Sequence, residues 1–180
     1  MIRLARALPL LFVLLAAACA SMPPPPPVPS LEEQVAAVKF RLFVLVEEQR
    51  HKLNAEAHPL ALDPQLAAAA QVHSDDMAKK DSFDTMNPDG NPAVNALLGD
   101  PKFRGFVGEN AAAQYFTPGR ELDTDALARG FLEIWLNSPN HKYNLIYTSF
   151  DRTGIGVAVT GNTIYAAELF STDLGLPEPQ

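Results

Sequence analysis

The sequence has one cysteine, Cys19, so no internal disulfide can staple the fold. It is also short of positive charge: 14 Lys and Arg stand against 21 Asp and Glu, a formal net charge of −7. That balance lacks the basic face with which proteins hold nucleic acid or anionic lipid head groups. There is no glycine-rich nucleotide loop, no internal repeat, no heptad array and no G-x-S-x-G nucleophile elbow. What is present is a chain of 180 residues, 47% of them hydrophobic, enough for one domain with a real core.

The two ends must be separated from that domain. Arg3 and Arg6 precede an apolar run over residues 7–15 that closes in Ala16-Ala17-Ala18-Cys19. The run is roughly a dozen residues, short of the ~20 of a membrane span, and its charge-then-apolar layout is that of a secretory signal. Two readings of the cleavage site compete. Ala16-x-Ala18 suits ordinary signal peptidase, with Cys19 merely next. The lone thiol directly after the small residues resembles a bacterial lipobox, with alanine at the usual leucine place, and makes Cys19 the lipidation site and the mature N-terminus. The lipobox reading is the preferred one. Several acyl chains on one cysteine anchor firmly where one chain alone is marginal. Ala20, not aspartate, follows the cysteine, which by resemblance to Gram-negative sorting places the protein at the outer membrane; a periplasmic or secreted protein is the alternative.

Prolines at 23–27 and 29 follow, and such a run adopts polyproline II at ~3.1 Å per residue. It reads as a stiff spacer of roughly 20 Å, with a ligand for a proline-recognition module as the alternative. The expected organisation is a signal peptide over 1–18, a lipidated cysteine and tether over 19–30, one domain over 31–175 and a tail over 176–180. Without Arg3 and Arg6, 12 basic residues face 21 acidic ones, a net −9.

Within the domain, Ser30 with Glu33 is a capping-box signature. Val35, Val38, Leu42, Leu45 and Val46 then recur at helical spacing, predicting a helix to about Leu53. Asp63-Pro64 starts a second helix, with Leu66, Ala69, Ala70, His73 and Met77 as its inner stripe. His73 reads as a core histidine held by a local hydrogen bond. Turns fill 80–105 around a short helix over 92–98. A buried strand is expected over 106–116, and a helix over 122–137 with Leu127, Phe131, Ile134 and Trp135 inward. A hairpin turns at Gly161-Asn162, with Ile155, Val157 and Val159 on one face. Helices around a small sheet make the fold α+β.

Chemistry-bearing residues concentrate in Gly108-Glu109-Asn110, in Ser138-Pro139-x-His141 and at Asn144. This arrangement can point Glu109 and His141 into one cleft, where they exchange protons only if the fold brings them within hydrogen-bond reach. From about Val35 to Phe170 the ordered series resembles the CAP superfamily of cysteine-rich secretory, antigen 5 and pathogenesis-related proteins, in its bacterial secreted branch. The matching pieces are Leu66, Ala69-Ala70 and His73-Ser74-Asp75-Asp76-Met77, then Pro88-Asp89-Gly90 and Gly108-Glu109-Asn110-Ala111. Trp135, Ser138-Pro139-x-His141, Asn144, Phe150 and Gly154-Ile155-Gly156-Val157 complete it. The resemblance implies an α-β-α sandwich, an antiparallel sheet flanked by helices with a cleft on one side. It also implies a cleft lined by two histidines and two acidic residues able to hold a divalent metal. Glu109 and His141 match two of these. The first histidine is replaced by Thr85, after Phe83-Asp84, and the second acidic residue by Ser138. One imidazole and one carboxylate leave zinc weakly held, and nothing in the spacing brings Glu168 or Asp84 to it.

The residues expected at the cleft are therefore Glu109, Asn110, Ser138, His141, Asn144 and Thr85, with no required cofactor and at most a weak divalent ion on Glu109 and His141. Glu109 reads either as a structural brace paired with His141 or as half of an acid–base pair. Ser138 caps its turn more naturally than it attacks a substrate, and Trp135 reads as a packing residue. The preferred function is a non-catalytic envelope lipoprotein, a monomer, that binds a lipid, sterol-like or cell-wall ligand, with no nucleic-acid partner. The alternative is a secreted hydrolase of peptide, lipid or nucleic-acid bonds using Glu109 and His141. The anchor is directly testable. Wild-type protein is expected in the membrane fraction and Cys19→Ser in the soluble one; an unmodified Cys19 thiol in intact-mass analysis would refute the lipobox.

Overall fold

A computed structural model describes residues 27–82, 92–100, 103, 105–119 and 121–172. Cys19, Asp84, Thr85 and most of the proline run lie outside the described residues. The elements run α1 (Leu31–Leu53), β1 (Ala61–Leu62), α2 (Pro64–Lys80), α3 (Pro92–Gly99) and β2 (Val107–Tyr115). α4 (Thr124–Asn137), α5 (Pro139–Ile146), β3 (Arg152–Thr160) and β4 (Thr163–Ser171) follow. The sheet order is β1-β3-β4-β2. Its three long strands are antiparallel, and two-residue β1 adds a parallel pairing on β3 that makes the sheet mixed.

Local chemistry accounts for the boundaries. Ser30 closes a full capping box with Glu33 at the start of α1. Asp63 accepts from the N–H groups of Gln65 and Leu66 at the start of α2, with proline at the first turn. The β3–β4 hairpin turns on Gly161 at φ 56°, a left-handed position that glycine takes without strain. α4 begins at Thr124, two residues later than its apolar pattern suggests, because Asp123 caps it through the N–H of Ala126.

Alternation along β4 divides the core into two layers. Ile164, Ala166 and Phe170 face α1, α4 and α5, with Leu42, Phe131, Trp135 and Leu145. Tyr165, Ala167 and Leu169 face α2 and α3, with Leu66, Ala70 and Met77. α2 lies almost on the backbone of β3: a Cβ at Gly156 would come within 2.2 Å of the Ala70 carbonyl. Ile134 departs from the inward stripe expected for α4 and stands 38% exposed, because Ala128 and Leu132 take the core-facing positions beside Leu127, Phe131 and Trp135.

The first layer also encloses charge. Arg50 on α1 is completely buried. Its guanidinium donates to the carbonyls of Leu145 at 2.8 Å, His58 at 3.0 Å and Phe150 at 3.0 Å. Its Nε lies 3.6 Å from the Glu47 carboxylate. Glu168 on β4 is equally buried and receives Thr153 Oγ1 at 2.9 Å. The same hydroxyl stands 2.9 Å from the Leu169 carbonyl, and its one proton serves one acceptor at a time. A protonated Glu168 resolves that conflict by donating to Thr153, which then donates to Leu169. Burial pushes the Glu168 carboxyl from its ordinary 4.5 up to about 8, against the opposing pull of Thr153 and Arg50.

A folded pKa above the unfolded one means that the native state holds a proton the unfolded chain releases. The contribution of Glu168 is therefore fully present below about pH 4.5 and is lost as pH rises toward 8. Glu168→Gln keeps the shape and cannot ionise. In urea melts at pH 5 and pH 8, the stability of this variant relative to wild type is expected to rise with pH. An equal difference at both pH values would show that Glu168 is already ionised in the fold.

Candidate functional site

The site is built on the outer strand β2, where period two sends neighbours to opposite layers. Asn110 pairs with Glu168 and faces α5; Glu109 pairs with Leu169 and faces α2. Between Gly108 and the α5 layer there is no room for a side chain, since a Cβ there would meet Asn144 Oδ1 and the Phe150 ring at 2.8 Å. That contact explains why glycine precedes Glu109.

Asn110 and Asn144 form a carboxamide brace. Asn144 Nδ2 donates to the Glu109 carbonyl and to Asn110 Oδ1, each at 2.9 Å. Asn110 Nδ2 donates to the His141 carbonyl at 3.2 Å. These bonds fix α5 against β2. The Ser-Pro turn expected before His141 opens this helix, with Pro139 in its first turn. Ser138 is its N-cap residue by backbone position, yet its hydroxyl makes no capping hydrogen bond; its carbonyl accepts from the Lys142 N–H instead.

The Glu109 carboxylate is held from the other layer. His73 Nδ1 lies 2.5 Å from Glu109 Oε1, and the two side chains are 13% and 27% exposed. The hydrogen bond of His73 is therefore not local; it crosses from α2 to β2 over 36 residues. The sequence pairs Glu109 with His141 by motif, but in the fold its carboxylate takes His73 instead. Only the carboxylate's charge reaches the His141 imidazole, where it opposes the larger effect of burial, and the net result holds the His141 pKa below its ordinary value. Burial thus favours the neutral imidazole of His141. Its buried Nδ1 has no partner among the described residues.

Thr85 lies outside the described residues. Glu168 is remote in orientation, turned into the α1 layer toward Arg50, and Trp135 is a fully buried core residue against Phe131 at 6.3 Å between ring centroids. Among the described residues no three His, Cys, Asp or Glu side chains converge to hold a metal ion. Glu109, His73 and His141 do not supply the convergent donors that a protein-held divalent ion wants. The residue missed from the sequence as a site member is His73. Its signal was its place on the inner stripe of α2, which the sheet meets with the face carrying Glu109.

Residues 39–172 match the model of the cysteine-rich secretory protein family, CAP. The chain belongs to that family. The Bacillus subtilis protein YkwD is 25% identical over 133 residues, which cover 74% of this chain and 47% of YkwD, so the chain spans about half the length of this curated relative. Among solved structures, an outer surface protein from Borrelia burgdorferi superposes with a TM-score of 0.59 at 23% identity, over 80% of this chain and 96% of that one. An extracellular SCP-domain protein from Bacillus anthracis superposes at 0.58 and 25% identity, over 82% of this chain and 45% of that one. The α-β-α sandwich is therefore the family's fold, and this CAP domain carries His73 bonded to the Glu109 of its Gly-Glu-Asn motif.

A double-mutant cycle measures that pair. Glu109→Gln, which keeps shape and one acceptor, is expected to cost less stability than Glu109→Ala. The coupling between Glu109→Ala and His73→Ala is expected at about 0.5–3 kcal/mol, as for side chains in one hydrogen-bonded unit. Additive losses in urea denaturation would show that solvent already screens the pair.

Proposed function

We propose that this CAP protein is a non-catalytic, lipid-anchored envelope protein whose cleft binds a neutral ligand between Glu109 and His141. The observation that carries the reading is how the polar groups are used. Glu109 is bound to His73, and Asn110 and Asn144 are bound to each other and to the backbone. A ligand therefore meets a neutral imidazole beside a carboxylate already engaged by the fold. Such groups suit hydroxyls and amides, the chemistry of cell-wall glycan or of a sterol-like head, better than a charged substrate. Anchoring through Cys19, with the proline spacer holding the domain off the outer membrane, would present the cleft to those molecules. Similarity to an outer surface protein and an extracellular protein supports an envelope location. Among the described residues no helix is long and apolar enough to cross a membrane.

One observation favours a second reading. A carboxylate on the Nδ1 of an imidazole is the arrangement that orients a general base, so His73 with Glu109 could act on a substrate of hydrolysis. Two measurements separate the readings. Full-length protein is incubated with soluble muropeptides and with sterol-loaded vesicles, and retained material is identified by mass spectrometry before and after Glu109→Gln. Unmodified ligand is expected back, with retention weakened several-fold in the variant. Cleaved muropeptide or lipid, lost in Glu109→Gln while the melting temperature holds, would move the protein to the hydrolase class.

A further inference from the structure

The far end of β2 offers a second surface, distinct from the cleft. The ladder bonds flanking the strand, Thr172 N–H to the Phe106 carbonyl and Phe116 N–H to the Asn162 carbonyl, place even-numbered residues of β2 in hydrogen-bonded pairs with β4. In an antiparallel pair the alternate residues turn their N–H and C=O outward. Those are the odd-numbered ones. Glu109 confirms the register, since its outward carbonyl is taken by Asn144. Ala111 is covered, but Ala113 is partly exposed and Tyr115 is 80% exposed. Among the described residues nothing pairs with the outward backbone groups of Ala113 and Tyr115.

Native edge strands are normally blunted by lysine, proline or brevity. β1, at the other edge, is two residues long. β2 is nine residues long, Val-Gly-Glu-Asn-Ala-Ala-Ala-Gln-Tyr, with no lysine, arginine or proline. A cavity of about 420 Å³ runs along this edge and spans both faces of the strand. On the α2 face it is lined by Asp81, Tyr165 and Tyr115; on the α4 face by Gln114 and Ile134. Asp81 accepts from the Tyr165 hydroxyl at 2.9 Å and stands at the left-handed C-cap of α2 with φ 46°. Ala113, directly opposite Tyr165 in the ladder, is too small to block the path from the edge to that carboxylate.

We infer that the Ala113–Tyr115 edge takes up an extended peptide of alternating apolar and basic residues as an added strand. A residue opposite Ala113 turns its side chain to the α2 face. There a lysine or arginine crosses the alanine to the Asp81 carboxylate between two tyrosine rings, a setting that favours cations. The next residue turns to the α4 face and covers Ile134. Charge complementarity argues for this occupant over an acidic or neutral one, because the mature domain carries a net −9 by sequence.

The test uses the full chain, labelled with 15N, and a blocked heptapeptide of alternating valine and lysine. Shifts and slowed amide exchange are expected at Ala113 and Tyr115. Asp81→Asn should weaken binding roughly tenfold, a loss of ~1.4 kcal/mol. Asparagine tolerates the left-handed cap, so this variant keeps its fold. N-methylation of alternate peptide bonds, which leaves the protein untouched, should abolish binding, and Glu109→Gln should not affect it. Equal binding of the N-methylated peptide, or of a block isomer with the same residues, would reduce the contact to diffuse charge attraction and overturn the inference. So would self-association of the chain through this edge that excludes the peptide.

Discussion

A buried guanidinium needs acceptors for its N–H groups, and the two terminal nitrogens of Arg50 find them on backbone carbonyls from two parts of the chain, while Nε stands 3.6 Å from Glu47. It holds the His58 carbonyl before β1, the Leu145 carbonyl near the end of α5 and the Phe150 carbonyl before β3. Asn54 repeats the logic four residues on, donating to the Ile146 carbonyl and the Thr148 hydroxyl at 2.9 and 3.0 Å. The end of α1 thus acts as a clamp on the end of α5. Because α5 carries His141 and Asn144, the geometry of the Glu109, Asn110 and His141 cluster rests on a charge buried in the core.

The same clamp bears on a second ionisable group buried nearby. Glu168 sits opposite Asn110 in the ladder and feels Arg50, yet burial outweighs that attraction and keeps a proton on the carboxyl. Were it ionised, Arg50 would be drawn from backbone carbonyls toward a carboxylate, and those carbonyls would be left unsatisfied in the interior. A neutral Glu168 leaves the guanidinium to the loop. The site is therefore joined to the core through one ladder pair, Asn110 and Glu168, both fully buried on the α1, α4 and α5 face of the sheet.

Much of this was readable in advance where local chemistry decides. The Ser30–Glu33 box, Asp63-Pro64 and Gly161-Asn162 each fix an element without help from the rest of the chain, and α1, α2 and the hairpin lie where those signals put them. The pairing of Glu109 was not readable, because strand period two sends Glu109 and Asn110 to different layers, and only the three-dimensional order of α2 and α5 says which histidine meets which. Ser-Pro before His141 reads as a turn until Pro139 is seen to open a helix of eight residues. Arg50 lies on the apolar face of α1, and two of the carbonyls that hold it stand 95 and 100 residues away, where no local pattern points to them. Ile134 shows the limit of periodicity, which cannot tell a stripe's centre from its exposed margin.

The division of Glu109 and Asn110 between layers also bears on what chemistry these side chains can do. A carboxylate poised for proton transfer in both directions needs freedom to change partners. Glu109 has its carbonyl tied to α5 and its carboxylate tied to α2, so it joins the two layers across the edge of the sheet. Moving either bond would part helices as well as protons. Meanwhile burial lowers the pKa of the facing imidazole, so approach of a ligand does not have to displace a charge on His141. A site whose acid is a structural tie and whose imidazole is neutral can offer hydrogen bonds at little electrostatic cost. That combination selects for shape and neutral polarity over charge.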